Sequence, residues 1–157
     1  MTNEPGTAKL VQQLWDIEQI KQLKARYFRF IDTKDWSSFA DLFTADCIHY
    51  LPAGAPTPTL DNAAYLASLQ RMLAHAVTTH HGQMPEITLL SATEAEGIWS
   101  MFDDVRSEPP DGPQRRIQSY GHYYETYRKC DDGRWRISSK RNVRQRLDHL
   151  ALTESGT

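Results

Sequence analysis

Asp32, a neighbouring pair His80-His81 and Tyr27 are the residues of this 157-residue chain whose types and surroundings best fit proton-transfer chemistry. Tyr27 lies on an apolar helical stripe. Asp32 follows Phe28 by one helical turn, so it either joins that stripe's inward face or ends as a solvated helix-end carboxylate. His80 and His81 are consecutive in a strand-like segment, so one of the two faces the interior and the other faces away; spacing leaves open which. Imidazole is the natural base near neutral pH. A carboxylate on its second nitrogen fixes the tautomer and raises its basicity, and a phenol donates a hydrogen bond without adding charge. Abstraction of a proton beside an activating group needs these three parts and no cofactor.

Further candidates lie on strand-like segments. Trp99, Met101 and Asp103 share one face of theirs, with Asp104 on the other. Tyr120, His122 and Tyr124 share a face, while Tyr123 and Tyr127 share the opposite one. The first set reads either as pocket lining or as an ordinary sheet face with aromatic cross-strand pairs. The last segment carries Arg134, Arg136, Lys140, Arg141, Arg144 and Arg146, mostly a solvated face; Arg141 is the one singled out to reach a carbonyl or anionic group of a ligand. No HxH, HExxH, phosphate loop or dinucleotide fingerprint occurs, so the reading is of a site without metal or cofactor.

The elements that must hold these residues follow from the hydrophobic period. Leu10, Leu14, Ile17, Ile20, Leu23, Tyr27 and Ile31 predict one long amphipathic helix. Asp35 is placed to cap a short second helix with Trp36, Phe39, Leu42 and Phe43 inward, and Asp61 to cap a third from Asn62 to about His75. A strand at 46–52 ends at Pro52, and a Pro-, Gly- and Thr-rich loop follows. After the third helix the pattern turns to strands: 77–83, 85–91, 95–105, 116–129 and 134–146, the last two joined by a turn at Asp131–Gly133. Helices first and long strands afterwards predict an α+β domain with a mostly antiparallel sheet and an interior ligand pocket. The domain is expected over 9–148, with a flexible tail at 1–8 and a second tail at 149–157.

Composition narrows the function classes. Hydrophobic residues make up 39% and charged residues 24%, which fits one globular domain. A net charge of −2 lacks the basic excess of a general nucleic-acid binder. No apolar run reaches the roughly 20 residues of a membrane span, and the N-terminus has no signal-peptide pattern. Cys47 and Cys130 are far apart and follow no ligand spacing, which suits a reducing cytoplasm.

Several segments carry a resemblance: Tyr27 to Asp32, Thr33 to Trp36, Leu42-Phe43 with Asp46, Thr79-His80 running to Ile87, and Gly121-His122-Tyr123 running to Trp135. Over about residues 10–148 the chain resembles a SnoaL-like domain of the nuclear transport factor 2-like superfamily, and within it the scytalone and bile acid dehydratases. The resemblance implies a cone-shaped, curved sheet closed by three helices from the N-terminal half. It also implies an Asp32–His80 pair, with Tyr27, Asp103 and His122 as further catalytic residues. Tyr50, Trp99, Met101, Tyr120, Tyr124 and Arg141 are then candidates for the substrate wall. The implied activity is cofactor-free dehydration of a small, cyclic, mostly apolar substrate, steroid-like or polyketide-like. A ketosteroid-type isomerase is the first alternative; a non-catalytic ligand-binding domain or the small subunit of a ring-hydroxylating dioxygenase is the second. The resemblance further implies a homo-oligomer, a trimer before a dimer.

Overall fold

The apolar stripe of the first thirty residues folds as α1 (Thr7–Thr33), the longest helix in a computed structural model that describes residues 6–52, 55 and 57–151. Its buried side is Asp16, Ile20, Leu23, Lys24, Tyr27 and Ile31. Leu10 and Leu14, expected on that stripe, are exposed, because the helix meets the rest of the domain only from Asp16 onward. Lys34 ends the helix in the left-handed conformation (φ 59°), and the Asp35 N–H closes the turn on the Phe30 carbonyl at 2.9 Å. Asp35 then caps α2 (Trp36–Ala40) by accepting from the Ser38 N–H, and Asp61 caps α3 (Asn62–Met72) by accepting from the Ala64 N–H. α3 stops at Met72, three residues before the expected end.

Six strands form one sheet: β1 (Phe43–Tyr50), β2 (Thr59–Leu60), β3 (Ala76–Leu89), β4 (Glu94–Ser107), β5 (Arg115–Lys129) and β6 (Trp135–Leu150), in the order β2-β1-β6-β5-β4-β3. Every neighbouring pair is antiparallel except β1 with β6. β3 was expected as two strands. It is one edge strand with a bulge between Gln83 and Glu86, where Met84 takes a positive φ of 46° and Pro85 withholds its donor. Further register shifts between β5 and β6 bend the sheet into an unclosed, curved shell.

The helices cover one face only. Tyr27, Ile31, Phe39, Leu69 and Leu73 meet Phe43, Ala95, Tyr127, Trp135 and Ile137 in one core; Trp99, Met101 and Tyr123 form a smaller one beneath Phe28. Tyr123, Tyr127, Trp135 and Ile137 are therefore interior. The architecture is the predicted α+β one, a curved sheet with helices from the N-terminal half. α1 begins inside the stretch expected as a tail and β6 runs to Leu150, past the expected domain end; the remainder of both expected tails, 1–5 and 152–157, lies outside the described residues.

Candidate active site

Lys24, Phe28 and Asp32 follow one another at four-residue spacing along α1, which sets all three on the helix row that faces the sheet interior. Asp32, at the end of that row, meets the start of β3. Its Oδ1 lies 2.7 Å from His80 Nδ1 and accepts from the Thr78 hydroxyl at 2.8 Å; its Oδ2 accepts from the His80 backbone N–H at 3.0 Å. Lys34 Nζ donates in turn to the Thr78 hydroxyl at 2.8 Å and to the Ile31 carbonyl at 3.1 Å. Burial alone would raise the Asp32 carboxyl, but the hydrogen bonds from the His80 ring, the His80 backbone and Thr78 outweigh it and hold it below the usual carboxylate range. With the carboxylate on Nδ1, that nitrogen carries the hydrogen and Nε2 presents its lone pair. The side chains are 10% exposed for His80 and 24% for Asp32, sheltered yet reachable from solvent.

The inward partner in β3 is thus His80. His81 is exposed on the other side of the sheet, beside Phe102. Phe28 packs directly on Gly82, two residues along the same inward row: a Cβ at that position would stand 2.5 Å from the ring's Cζ. Opposite His80 in the sheet register is Asp103, buried and accepting a short hydrogen bond from the Tyr123 hydroxyl. Trp99 and Met101 line the same inward face, with the Trp99 indole N–H donating to Tyr127. Register carries that face on through Ser119, opposite Asp103, to Gly121 and then Arg144, opposite Gly121.

The other sequence candidates are elsewhere. Tyr27 is a core residue, packed edge-on with Phe28, Phe43 and Tyr123 and tilted against Phe39, with no hydrogen bond to Asp32 or His80. Tyr120, His122 and Tyr124 point to the sheet's outer face, since β5 turns its odd-numbered side chains toward the helices. Tyr50 is exposed on that outer face, and Arg141 lies there with its guanidinium 5.5 Å from the Tyr124 ring centroid. Of the wall expected from Tyr50, Trp99, Met101, Tyr120, Tyr124 and Arg141, Trp99 and Met101 lie on the inward face, joined there by Tyr123, and the other four lie on the outer one. Thr78, Tyr123 and Arg144 were missed. Their signal was parity: Asp103 inward on β4 fixes, through antiparallel pairing, which residues of β3 and β5 lie beside it.

A second polar group is sealed behind the site. Lys24, 0% exposed, bonds Glu125 Oε1 at 2.6 Å and places its ammonium 3.8 Å from the Tyr123 ring centroid. Tyr127 donates to Glu125 Oε2 at 2.7 Å. Burial lowers the Lys24 amine to about 8, with Glu125 opposing that drop. Nearby, His49 stacks on Tyr65 at 3.6 Å, its Nε2 lies 3.1 Å from Asn62 Oδ1, and Lys140 donates to the Tyr65 hydroxyl at 2.8 Å. Burial and the Lys140 charge lower His49 to about 4. Its folded value is thus below the unfolded one near 6.5, so the unfolded chain binds more protons between those pH values. Stability falls as pH drops from 6.5 toward 4, by about 3 kcal/mol in full. His49→Phe keeps the stack and removes the proton site. Urea midpoints measured at pH 7 and pH 4.5 should drop less in that variant than in the native chain; equal drops would count against His49 as an acid-labile point.

Among the described residues no three His, Cys, Asp or Glu side chains converge as metal ligands, and no helix is long and apolar enough to cross a membrane. The profile of the SnoaL-like domain family matches residues 12–141. A candidate scytalone dehydratase from Novosphingobium aromaticivorans superposes with a TM-score of 0.78 at 21% identity, covering 92% of this chain and 93% of that one. The hexachlorocyclohexane dehydrochlorinase LinA type 2 gives 0.77 at 18% identity over 94% and 99%, and a protein of Kribbella flavida gives 0.76 at 20% over 87% and 95%. At such identities the structures share a fold, and the profile match over most of the length identifies the lineage: the chain belongs to the SnoaL-like domain family, within the nuclear transport factor 2-like superfamily.

Proposed function

We propose that this protein is a cofactor-free lyase, a dehydratase acting on a hydroxylated, cyclic, mostly apolar ketone. The observation that carries the reading is the Asp32–His80 pair, with the ring nitrogen remote from the carboxylate left to accept a proton. His80 Nε2 takes the proton α to the substrate carbonyl, and the electron pair of the C–H bond enters the enolate. Asp32 holds the ring and stabilises the imidazolium that forms. The enolate collapses, the β C–O bond breaks, and the departing hydroxyl takes a proton from the imidazolium and leaves as water. Base and carboxylate are then as they began. In this reading Asp103, opposite His80 and bonded by Tyr123, meets the leaving hydroxyl, and Arg144, set on the inward row by register, meets the carbonyl. The dehydratase and dehydrochlorinase likenesses support elimination as the reaction class.

Product analysis tests the reading. Incubation with a panel of hydroxylated cyclic ketones should yield the conjugated enone one water lighter. A product of unchanged mass with a shifted double bond would replace elimination by isomerisation, and binding without any turnover across the panel would remove the enzyme reading.

A further inference from the structure

Two non-glycine residues among those described take a positive φ: Met84 in the β3 bulge, and Lys34 directly after α1. The left-handed position that closes a helix favours glycine, so the backbone gives no reason for a lysine there. The side chain does. The half-buried Lys34 ammonium donates to the Ile31 carbonyl at 3.1 Å and, over the shorter distance of 2.8 Å, to the Thr78 hydroxyl on β3. A cation that served the helix end alone would be satisfied by the carbonyls of the last turn. This one crosses from the helix to the strand that carries His80.

A threonine hydroxyl has one hydrogen to give. Thr78 is buried, and with the ammonium on its oxygen that hydrogen is aimed at Asp32 Oδ1, 2.8 Å away. The same Oδ1 meets His80 Nδ1, and Oδ2 takes the His80 backbone N–H. The bonds thus run in one direction, from Lys34 through Thr78 to Asp32, and each donor strengthens the next. The other ionisable groups around Asp32 are His80 on β3, Asp103 across the register on β4, and Asp35, which turns away to cap α2. Burial lowers the Lys34 amine and Asp32 opposes that drop; the ammonium in turn favours the carboxylate. We propose that Lys34 is a positioning residue of the Asp32–His80 pair: through Thr78 it aims the Asp32 carboxylate and keeps it ionised, so that a proton taken by His80 stays on the ring. Its effect on turnover rests on the dehydratase reading; the relay through Thr78 does not.

Lys34→Gly separates this role from a structural one, because glycine suits the left-handed backbone while the ammonium is lost. The titration of the Asp32 carboxyl is followed by carbon-13 NMR in the protein without substrate, its signal assigned with Asp32→Asn. In Lys34→Gly the midpoint should move to higher pH, since removing a nearby cation disfavours the carboxylate. Thr78→Val cuts the relay in the middle, so in that background Lys34→Gly should move the midpoint far less. Thermal unfolding of Lys34→Gly should stay at or above the native midpoint. On the panel of ketones, kcat should fall about tenfold or more with KM held within about twofold, the signature of a misaimed pair and an intact binding face. An unmoved Asp32 midpoint in Lys34→Gly, the same movement with and without Thr78, or a native kcat would each overturn the proposal. An unmoved midpoint with lowered stability would leave Lys34 a helix cap alone. Absence of turnover in the native chain would strike the dehydratase reading instead, and the titration would still decide the relay.

Discussion

Replacing His80 by alanine is expected to lower turnover by three or more orders of magnitude while leaving substrate affinity within a few fold. In the proposed reaction the imidazole accepts the proton, whereas the apolar face beside it, Trp99, Met101 and Tyr123, remains in the variant. Asp32→Asn should be nearly as damaging. Asparagine preserves the shape but presents an amide N–H to His80 Nδ1 as readily as a carbonyl, which permits the wrong tautomer; the same change in a protease triad costs roughly 10⁴-fold. Because the two groups act as a unit, the double variant should be hardly slower than His80→Ala alone. Steady-state rates of enone formation by the four purified proteins provide the comparison. Near-native turnover in His80→Ala would move the base to another residue, and additive losses would show Asp32 acting apart from His80.

Lys24→Met should destabilise the fold by about 3–5 kcal/mol, the usual cost of stripping one partner from a fully buried ion pair. Glu125 is 3% exposed and would be left with its bond from Tyr127 but without the Lys24 ammonium. Lys24→Met combined with Glu125→Gln removes both charges yet leaves Tyr127 an acceptor, so it should recover at least half of the loss. Denaturant unfolding of the native, single and double proteins reads both effects. A single variant within about 1 kcal/mol of native, or a double no better than the single, would show that the pair does not hold the interior together.

Which parts of this architecture were legible in the sequence follows from the range of the forces involved. Asp35 and Asp61 announced their helices because a cap is a local hydrogen bond between a side chain and a backbone donor three residues away. The stripe of α1 was legible as a helix, but not the exposure of Leu10 and Leu14, which depends on where the sheet ends beneath it. Strands at 77–83 and 85–91 were expected apart, with Pro85 opening the second; on an edge strand its missing donor costs no ladder bond, and the chain continues through a bulge. Asp32 and His80 were legible through the family resemblance and Phe28-to-Asp32 spacing. Tyr124 was chosen over Tyr123 because both faces of β5 carry tyrosines, and only the packing of α1 decides which face is inside. The burial of Lys24 was not legible, because its partner Glu125 is 101 residues away.

Phe28 and Gly82 occupy one space between them. The pair behaves as a single volume divided unequally, with the helix holding all of it. A side chain can return to position 82 only as the ring at 28 shrinks, so the two positions are free to change together and constrained when they change alone. That exchange would shift apolar bulk from helix to strand, two residues along the inward row from His80, and redraw the outline of the surface there without touching either member of the Asp32–His80 pair. The outline of the inward surface can therefore diverge while the Asp32–His80 pair stays in place.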